Sequence, residues 1–257
     1  MIIEFYKYQG TGNDFIIIDD RTESFDVNDH GLIAALCERR MGIGADGLIL
    51  LRNHDSLDFE MIYFNSDGYL SSMCGNGGRC VIAFAHMLDI IKHHTTFMAV
   101  DGEHKGVVNN DGVSLKMQDV EVIKVVGDGL VINTGSPHYI EMVDELDSLD
   151  VNKEGRRIRN SSAFKKEGIN VNFVLDASDI QVRTYERGVE GETLSCGTGV
   201  VATAIAMYYS NFTQENLIVI STKGGCLSVG FEEFNGAYRN IWLSGEVSMV
   251  YAGEFEC

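Results

Sequence analysis

One short phrase occurs twice in this 257-residue chain. Cys74-Gly75-Asn76-Gly77 runs into the apolar stretch Val81-Ile82-Ala83-Phe84-Ala85, and Cys196-Gly197-Thr198-Gly199 runs into Val200-Val201-Ala202-Thr203-Ala204-Ile205-Ala206. A tyrosine, Tyr63 or Tyr185, stands eleven positions before each cysteine on a stretch that alternates apolar and polar residues. Each copy therefore predicts strand, turn, Cys-Gly-x-Gly and apolar helix, in that order. Strands wrapped around one apolar helix, twice over, predict an α+β duplication with a cleft between two similar halves.

The rest of the chain fits that plan. In the first half, strands are predicted at 3–8, 15–18, 47–51, 59–64, 97–100, 106–108 and 113–117. A helix capped by Asn28 or Asp29 carries Leu32, Ile33 and Leu36 and stops before Gly42, and the first central helix runs from Gly77 to about Lys92. Asn109-Asn110-Asp111-Gly112 is a hairpin signal. In the second half, strands are predicted at 121–126, 130–134, 139–143, 171–175, 180–185, 217–220, 226–231, 241–244 and 246–251. A charged helical stretch is expected from Asp144 to Arg159, and the second central helix from Gly199 to about Ser210. No low-complexity linker separates the copies. The repetition alone places the boundary: residues 1–118 as the N-terminal half with Cys74, and 119–246 as the C-terminal half with Cys196. The tail, about 247–257, is expected to pack back onto the first half.

Composition narrows the class. Hydrophobic residues make up 45 % of the chain, enough for a substantial core, and the net charge is −18. That acidity argues against nucleic acid or an anionic membrane as partner, because both need basic surface. No apolar run approaches the roughly 20 residues of a membrane span. Met1-Ile2-Ile3-Glu4-Phe5 lacks the basic start of a signal peptide, so the expected compartment is the cytoplasm. The cysteines at 37, 74, 80, 196, 226 and 257 form no Cys-x-x-Cys pair, and no metal is expected. Cys37 and Cys80 read as core residues, Cys226 and Cys257 have no partner motif, and His93-His94 reads as a polar surface turn.

The paired phrases carry the chemistry. A cysteine at a helix N-terminus gains thiolate character from the helix dipole and the exposed N–H groups, and the glycines let backbone amides approach an anion closely. Two such units predict a two-thiol site with a carboxylate cradle, suited to moving protons on both sides of one carbon. An amino acid's α-hydrogen is a very weak acid, so a base in contact and a stabilised carbanion are both required. Preorganised donors typically supply about 3–4 kcal/mol each. No pyridoxal phosphate or other cofactor is then needed.

At these residues the sequence resembles the diaminopimelate epimerase family. The resemblance is carried by Gly10-Thr11-Gly12-Asn13-Asp14-Phe15, Gly42-Ile43-Gly44-Ala45-Asp46-Gly47, Phe64-Asn65-Ser66-Asp67-Gly68, Met73-Cys74-Gly75-Asn76-Gly77-Gly78-Arg79-Cys80, Gly135-Ser136-Pro137-His138, Ile169-Asn170-Val171-Asn172-Phe173, Tyr185-Glu186-Arg187-Gly188 and Gly191-Glu192-Thr193-Leu194-Ser195-Cys196-Gly197-Thr198-Gly199. It implies a curved, mainly antiparallel sheet around each central helix, with substrate in the cleft. It also implies Cys74 and Cys196 as the acid/base pair, with Gly75, Asn76, Gly197 and Thr198 holding the reacting carboxylate. Asn13, Asn65, Asn170 and Arg187 are implied to hold the distal amino-acid group, Arg187 by a bidentate clamp on its carboxylate. Glu186 would bind the reacting ammonium, with His138 and Ser136 in support. The implied reaction interconverts LL- and meso-diaminopimelate in a homodimer of lysine and peptidoglycan-precursor synthesis. The chain departs from the family at Gly47, commonly glutamine, at Ser136, commonly asparagine, and by one extra residue within Gly188-Val189-Glu190-Gly191.

Other readings use the same residues differently. A proline-racemase-like enzyme of the same fold would lack a second polar head to recognise. A thiol redox protein would also use two low-pKa cysteines. A cysteine hydrolase would leave the duplication unexplained, and a non-catalytic binding module would leave both thiols without a role.

Overall fold

The computed structural model describes residues 2–71, 73–176 and 179–256. Cys257 lies outside the described residues. The chain forms two compact units, Met1–Leu115 with Gly245–Cys257, and Lys116–Ser244.

In the first unit the chain runs β1 (Ile2–Gly10), β2 (Asn13–Asp19), α1 (His30–Cys37), β3 (Gly47–Arg52), β4 (Glu60–Asn65), α2 (Gly75–Met87), β5 (His94–Ala99), β6 (Gly102–Asn109) and β7 (Gly112–Lys116). Strands β2 and β3 are parallel, as are β4 and β5; the pairs β1–β2, β3–β4, β5–β6 and β6–β7 are antiparallel. A parallel pair cannot be joined by a tight turn and needs a crossover. Helix α1 makes the first crossover and α2 the second.

The second unit repeats the scheme. Its elements are β8 (Ile123–Val126), β9 (Gly129–Asn133), β10 (Pro137–Met142), α3 (Val151–Arg159), β11 (Asn170–Asp176), β12 (Ile180–Glu186), β13 (Gly191–Thr193), α4 (Gly197–Tyr209), β14 (Leu217–Thr222), β15 (Gly225–Phe234) and β16 (Ala237–Gly245). Here β10–β11 and β12–β14 are the parallel pairs, crossed by α3 and α4. The last strand, β17 (Ser248–Glu256), pairs antiparallel with β1 of the first unit, from Ile2↔Glu256 to Gln9↔Ser248.

Burial explains the sequence patterns. Helix α4 is buried on nearly every side among Ile132, Ile140, Val174, Val182, Ile218, Ile220, Leu227, Val229 and Phe231, so its sequence is apolar all round. On the opposite face of each sheet a shorter helix closes a second layer. Ile33 and Leu36 of α1 pack with Ile16, Leu48 and Leu50, and Val151 and Ile158 of α3 with Val171, Phe173 and Tyr185. Covered on both faces, β3 reads as the continuous run Leu48-Ile49-Leu50-Leu51 rather than an alternation.

Several sequence expectations shift. Both central helices begin two residues before the predicted Gly77 and Gly199, directly after each cysteine, so Cys74 and Cys196 are the N-caps. Both also end by one device. Asp89 and Asn211 take left-handed φ values of 57° and 59°, and the next residue bonds back, Ile90 N to Ala85 O and Phe212 N to Met207 O, each at 3.0 Å. That stops α2 short of the expected Lys92. The helix expected over Asp144–Arg159 starts only at Val151, because Arg183 Nη1 takes the carbonyls of Leu146 and Leu149 and the Asp150 side chain caps the Lys153 amide. His94, expected in a turn with His93, opens β5, whose Thr95, Phe97 and Ala99 alternate inward. The short strand β13 was not expected. Cys37 and Cys80 lie in the core, and Cys226 is exposed.

Truncating Ile205 of α4, which is fully buried, to alanine should cost about 2–5 kcal/mol. Removing the same kind of bulk from the exposed Val219 of β14 should stay within about 0.5 kcal/mol. Urea denaturation midpoints of the two variants check the contrast.

Candidate active site

The strand order places chemistry-bearing residues at one end of each sheet. In the first unit, β2 starts at Asn13, β3 starts at Gly47 opposite Asn65, and β4 ends at Asn65 before the chain enters α2 through Cys74. In the second unit, β10 starts beside His138, β11 starts at Asn170, and β12 ends at Glu186 before the chain enters α4 through Cys196. Neither cysteine side chain caps its own helix. The first turn of each helix carries N–H groups without intrahelical partners, and these are donors for an anion.

At the head of α2, Asn76 is buried and its Oδ1 accepts from Arg79 Nη2 at 3.0 Å. Thr11 Oγ1 lies 3.5 Å from both Asn76 Oδ1 and Arg79 Nη2. Thr11 and Gly12 form the two-residue hairpin between β1 and β2, with φ of 49° and 82°, the left-handed pair such a turn demands. Next to it, Asn13 Oδ1 is buried without a hydrogen-bond partner among the described residues. Asn65 is exposed.

A charge cluster pins that loop. Arg39 forks onto Asp14 at 2.7 and 3.0 Å and reaches Asp46 at 2.6 Å, while Lys7 Nζ lies 2.6 Å from Asp14. Burial raises the Asp14 carboxyl, but the bonds from Arg39 and Lys7 outweigh it and hold the group down at about 2. Lys7, Arg39 and Asp46 had no assigned role from sequence; their signal was an acidic residue closing both glycine motifs, Asp14 and Asp46.

The second unit supplies a directed hydrogen-bond chain. Thr184 Oγ1 donates to Asn172 Oδ1 at 2.9 Å, which turns the Asn172 amide nitrogen toward Tyr139 O at 3.2 Å and His138 Nδ1 at 3.0 Å. Nδ1 must then accept, so the ring proton sits on Nε2, which donates to Thr198 Oγ1 at 2.8 Å. The Thr198 hydroxyl is left to reach Cys196 Sγ at 3.5 Å. Burial pushes His138 down to about 3, so the ring is neutral. A Cβ on Gly199 would stand 2.5 Å from Asn172 Oδ1; only glycine lets the helix sit this close. Asn172 was missed as a site residue, although two asparagines in an otherwise apolar, doubly covered strand were the available signal.

Asn170, Arg187 and Ser136 come together. Asn170 Nδ2 donates to Ser136 Oγ at 2.8 Å and Pro137 O at 3.1 Å, its Oδ1 accepts from the Arg187 amide at 2.9 Å, and Arg187 Nη2 lies 3.5 Å from Ser136 Oγ. The Arg187 side chain is exposed and also donates to Glu167 O at 3.2 Å. Glu186 Oε1 accepts from Thr193 Oγ1 of β13 at 2.5 Å, so the unexpected strand orients this carboxylate. At Gly47 a Cβ would meet the Tyr63 ring at 2.6 Å, so tyrosine fills the space that a side chain there would use. Among the described residues, no three His, Cys, Asp or Glu side chains cluster as metal ligands.

The diaminopimelate epimerase family profile matches residues 5–123 and 130–250. The diaminopimelate epimerase of Flavobacterium psychrophilum is 52 % identical over 252 residues, covering 97 % of this chain and 98 % of its own. That of Aquifex aeolicus is 38 % identical, covering 98 % and 97 %. Among solved structures, a PhzF-family phenazine biosynthesis protein from Bacillus anthracis superposes with a TM-score of 0.79 at 13 % identity, over 100 % of both chains. A hydroxyproline epimerase from Agrobacterium vitis superposes with a TM-score of 0.66 at 13 % identity, over 98 % of this chain and 92 % of that one. These two share the fold.

Because His138 binds a proton more weakly folded than unfolded, folding stability should rise with pH between about 3 and the free-imidazole value of about 6.5. Acidification below about 6.5 should therefore weaken the fold, and His138→Gln should flatten that dependence. Urea midpoints of both proteins at about pH 7 and about pH 5 measure it.

Proposed function

The chain belongs to the diaminopimelate epimerase family, an isomerase family, and from that premise we propose that its two cysteines invert one α-carbon of diaminopimelate without a cofactor. The observation that carries the reading is the repeated placement of Cys74 and Cys196 as N-caps of the two buried central helices. One sulfur acts as thiolate and removes the α-hydrogen from one face. The developing negative charge spreads into the carboxylate, which the amides of Gly75, Asn76, Gly197 and Thr198 hold at the helix N-termini. The other sulfur, a thiol, delivers its proton to the opposite face. The product is the inverted centre, with the thiol and thiolate exchanged.

Recognition divides among the remaining residues. Glu186, oriented by Thr193, takes the reacting ammonium. Asn13, Asn65, Asn170 and Arg187 hold the distal amino acid, with Arg187 on its carboxylate. Ser136, between Asn170 and Arg187, steadies both. Neutral His138 acts on Cys196 through Thr198. The reading extends to a cytoplasmic homodimer in lysine and peptidoglycan-precursor synthesis; no helix of the described residues is long and apolar enough to cross a membrane.

Incubating the protein with LL-diaminopimelate in deuterated water, with nothing added, should yield the meso isomer carrying one deuteron at the inverted carbon. Absence of both isomer and deuterium would sink the proposal. Alanine at Cys74 or at Cys196 should abolish isomerisation in a folded protein, because each thiol serves one face; near-normal turnover by either variant removes that residue from the pair. Arg187→Ala should lose on the order of 2–5 kcal/mol of transition-state binding in kcat/KM for diaminopimelate. Arg187→Lys should recover little of it, since a point charge does not reproduce the planar fork. Equal turnover of proline, unaffected by Arg187→Ala, would transfer the chain to a proline-racemase-like reading.

A further inference from the structure

Asn172 is fully buried in β11, against the first turn of α4. Its side chain has one possible orientation. Tyr139 O, a carbonyl that can only accept, lies 3.2 Å from Asn172 Nδ2, and Thr184 Oγ1 donates to Asn172 Oδ1 at 2.9 Å. The second Nδ2 hydrogen therefore points at His138 Nδ1, 3.0 Å away. Packing holds these groups together, because a Cβ on Gly199 would stand 2.5 Å from Asn172 Oδ1 and 3.3 Å from the imidazole.

A ring nitrogen that accepts carries no proton, so the neutral imidazole holds its single proton on Nε2. Burial keeps the ring neutral, and the charge of Arg187 acts in the same direction. Asn170 Nδ2, 3.5 Å from Nε2, does not compete for it. Asn170 Oδ1 is fixed on the Arg187 amide, and the Nδ2 hydrogens go to Ser136 Oγ at 2.8 Å and Pro137 O at 3.1 Å. The Nε2 proton is then aimed at Thr198 Oγ1, 2.8 Å away. The buried Thr134 hydroxyl donates to Thr198 O at 2.8 Å and anchors that residue's backbone. A hydroxyl that accepts from Nε2 keeps its own hydrogen for another acceptor, and Cys196 Sγ stands 3.5 Å away.

On the reading of Cys196 as one of the two acid/base thiols, we propose that Asn172 is a positioning residue that fixes the His138 tautomer and thereby makes the Thr198 hydroxyl a donor to the Cys196 sulfur. The donor favours thiolate over thiol, because a hydrogen bond to the charged form stabilises that form. Each time Cys196 gives up its proton, the Thr198 hydrogen is already in place and no ring proton has to move. With the opposite tautomer, Nε2 would accept, draw the Thr198 hydrogen to itself and leave the sulfur without it. No group in the chain from Thr184 to Thr198 changes its protonation; the chain sets direction only.

The test uses the full-length protein without substrate, with the rings of its seven histidines isotopically labelled at nitrogen. Nitrogen chemical shifts report which ring atom carries the proton, and the His138 signals are identified by their loss in His138→Gln. At about pH 7 the wild type should show Nε2 protonated and Nδ1 bare. Asn172→Asp sets an acceptor of nearly equal volume in place of the donor, so the proton should move to Nδ1 and leave Nε2 bare. Iodoacetamide alkylation of Cys196, followed by peptide mass mapping at about pH 7, should then slow about three- to tenfold relative to Cys74, because the thiolate is the species that reacts. Thr198→Val, which removes the hydroxyl, should slow it as much. Circular dichroism establishes that each variant is folded; if Asn172→Asp is not, the wild-type tautomer and Thr198→Val decide. Any other protonation state of His138 in the wild type overturns the proposal. So does an unmoved or doubly protonated ring in folded Asn172→Asp, and so does an unchanged Cys196 rate in either folded variant. No turnover is measured, so failure here and failure of the deuterium experiment are separate results.

Discussion

Two helices whose N-terminal turns are buried cannot leave their first amide donors to bulk water, and most of what is unusual in this protein answers that constraint. An N-cap usually supplies a side-chain oxygen to those donors. Here the N-caps are Cys74 and Cys196, whose sulfurs do not cap. The residues that follow, Gly75 and Gly197, add no side chain over the amides. The missing side-chain caps cost helix stability, which the apolar bodies of α2 and α4 offset by burial in their own cores. Close packing at the same point, with Gly199 against Asn172, keeps the helix start from drifting.

The two units meet this constraint with different chemistry on one scaffold. Beneath Gly199 of α4 lie His138 and Asn172, whereas beneath Gly77, the equivalent glycine of α2, lie Phe15 and Ile49. The second unit therefore carries its polar groups on the sheet beneath α4, as a chain of neutral hydrogen bonds. The first unit keeps that sheet apolar and carries its polar groups on α2 itself, as Asn76 and the cation Arg79. Duplication supplied two equal frames, and the substitutions made them electrostatically unequal.

Much of the frame was legible from residues alone. The repeated phrase implied two like halves, and the alternation of apolar residues located most strands. The helix termini were less legible. Glycine is a poor helix former, so the helix was expected only from Gly77, yet Gly75 and Asn76 already belong to the first turn of α2, where Ile49 and Phe15 crowd Gly77 and Met73 and Leu115 crowd Gly78. The helix expected from Asp144 failed for a similar non-local reason: Arg183, distant in sequence, takes the carbonyls that an earlier turn would have used.

What the sequence determined by itself is what local rules govern: the strand–turn–helix unit, its repetition, the cysteine at each helix entrance, and the glycines that crowd or free a backbone. Only the tertiary structure decided which polar residues became partners. Asn172 is one asparagine among apolar neighbours until β10, β12 and α4 surround it and set its amide, the His138 tautomer and the Thr198 hydroxyl in one direction. Arg79 is one arginine after a glycine pair until β1 covers it and buries it, hydrogen-bonded to Asn76 Oδ1. Burial, hydrogen-bond direction and local charge depend on atoms that meet across the fold, and no window of sequence contains both sides of such a contact.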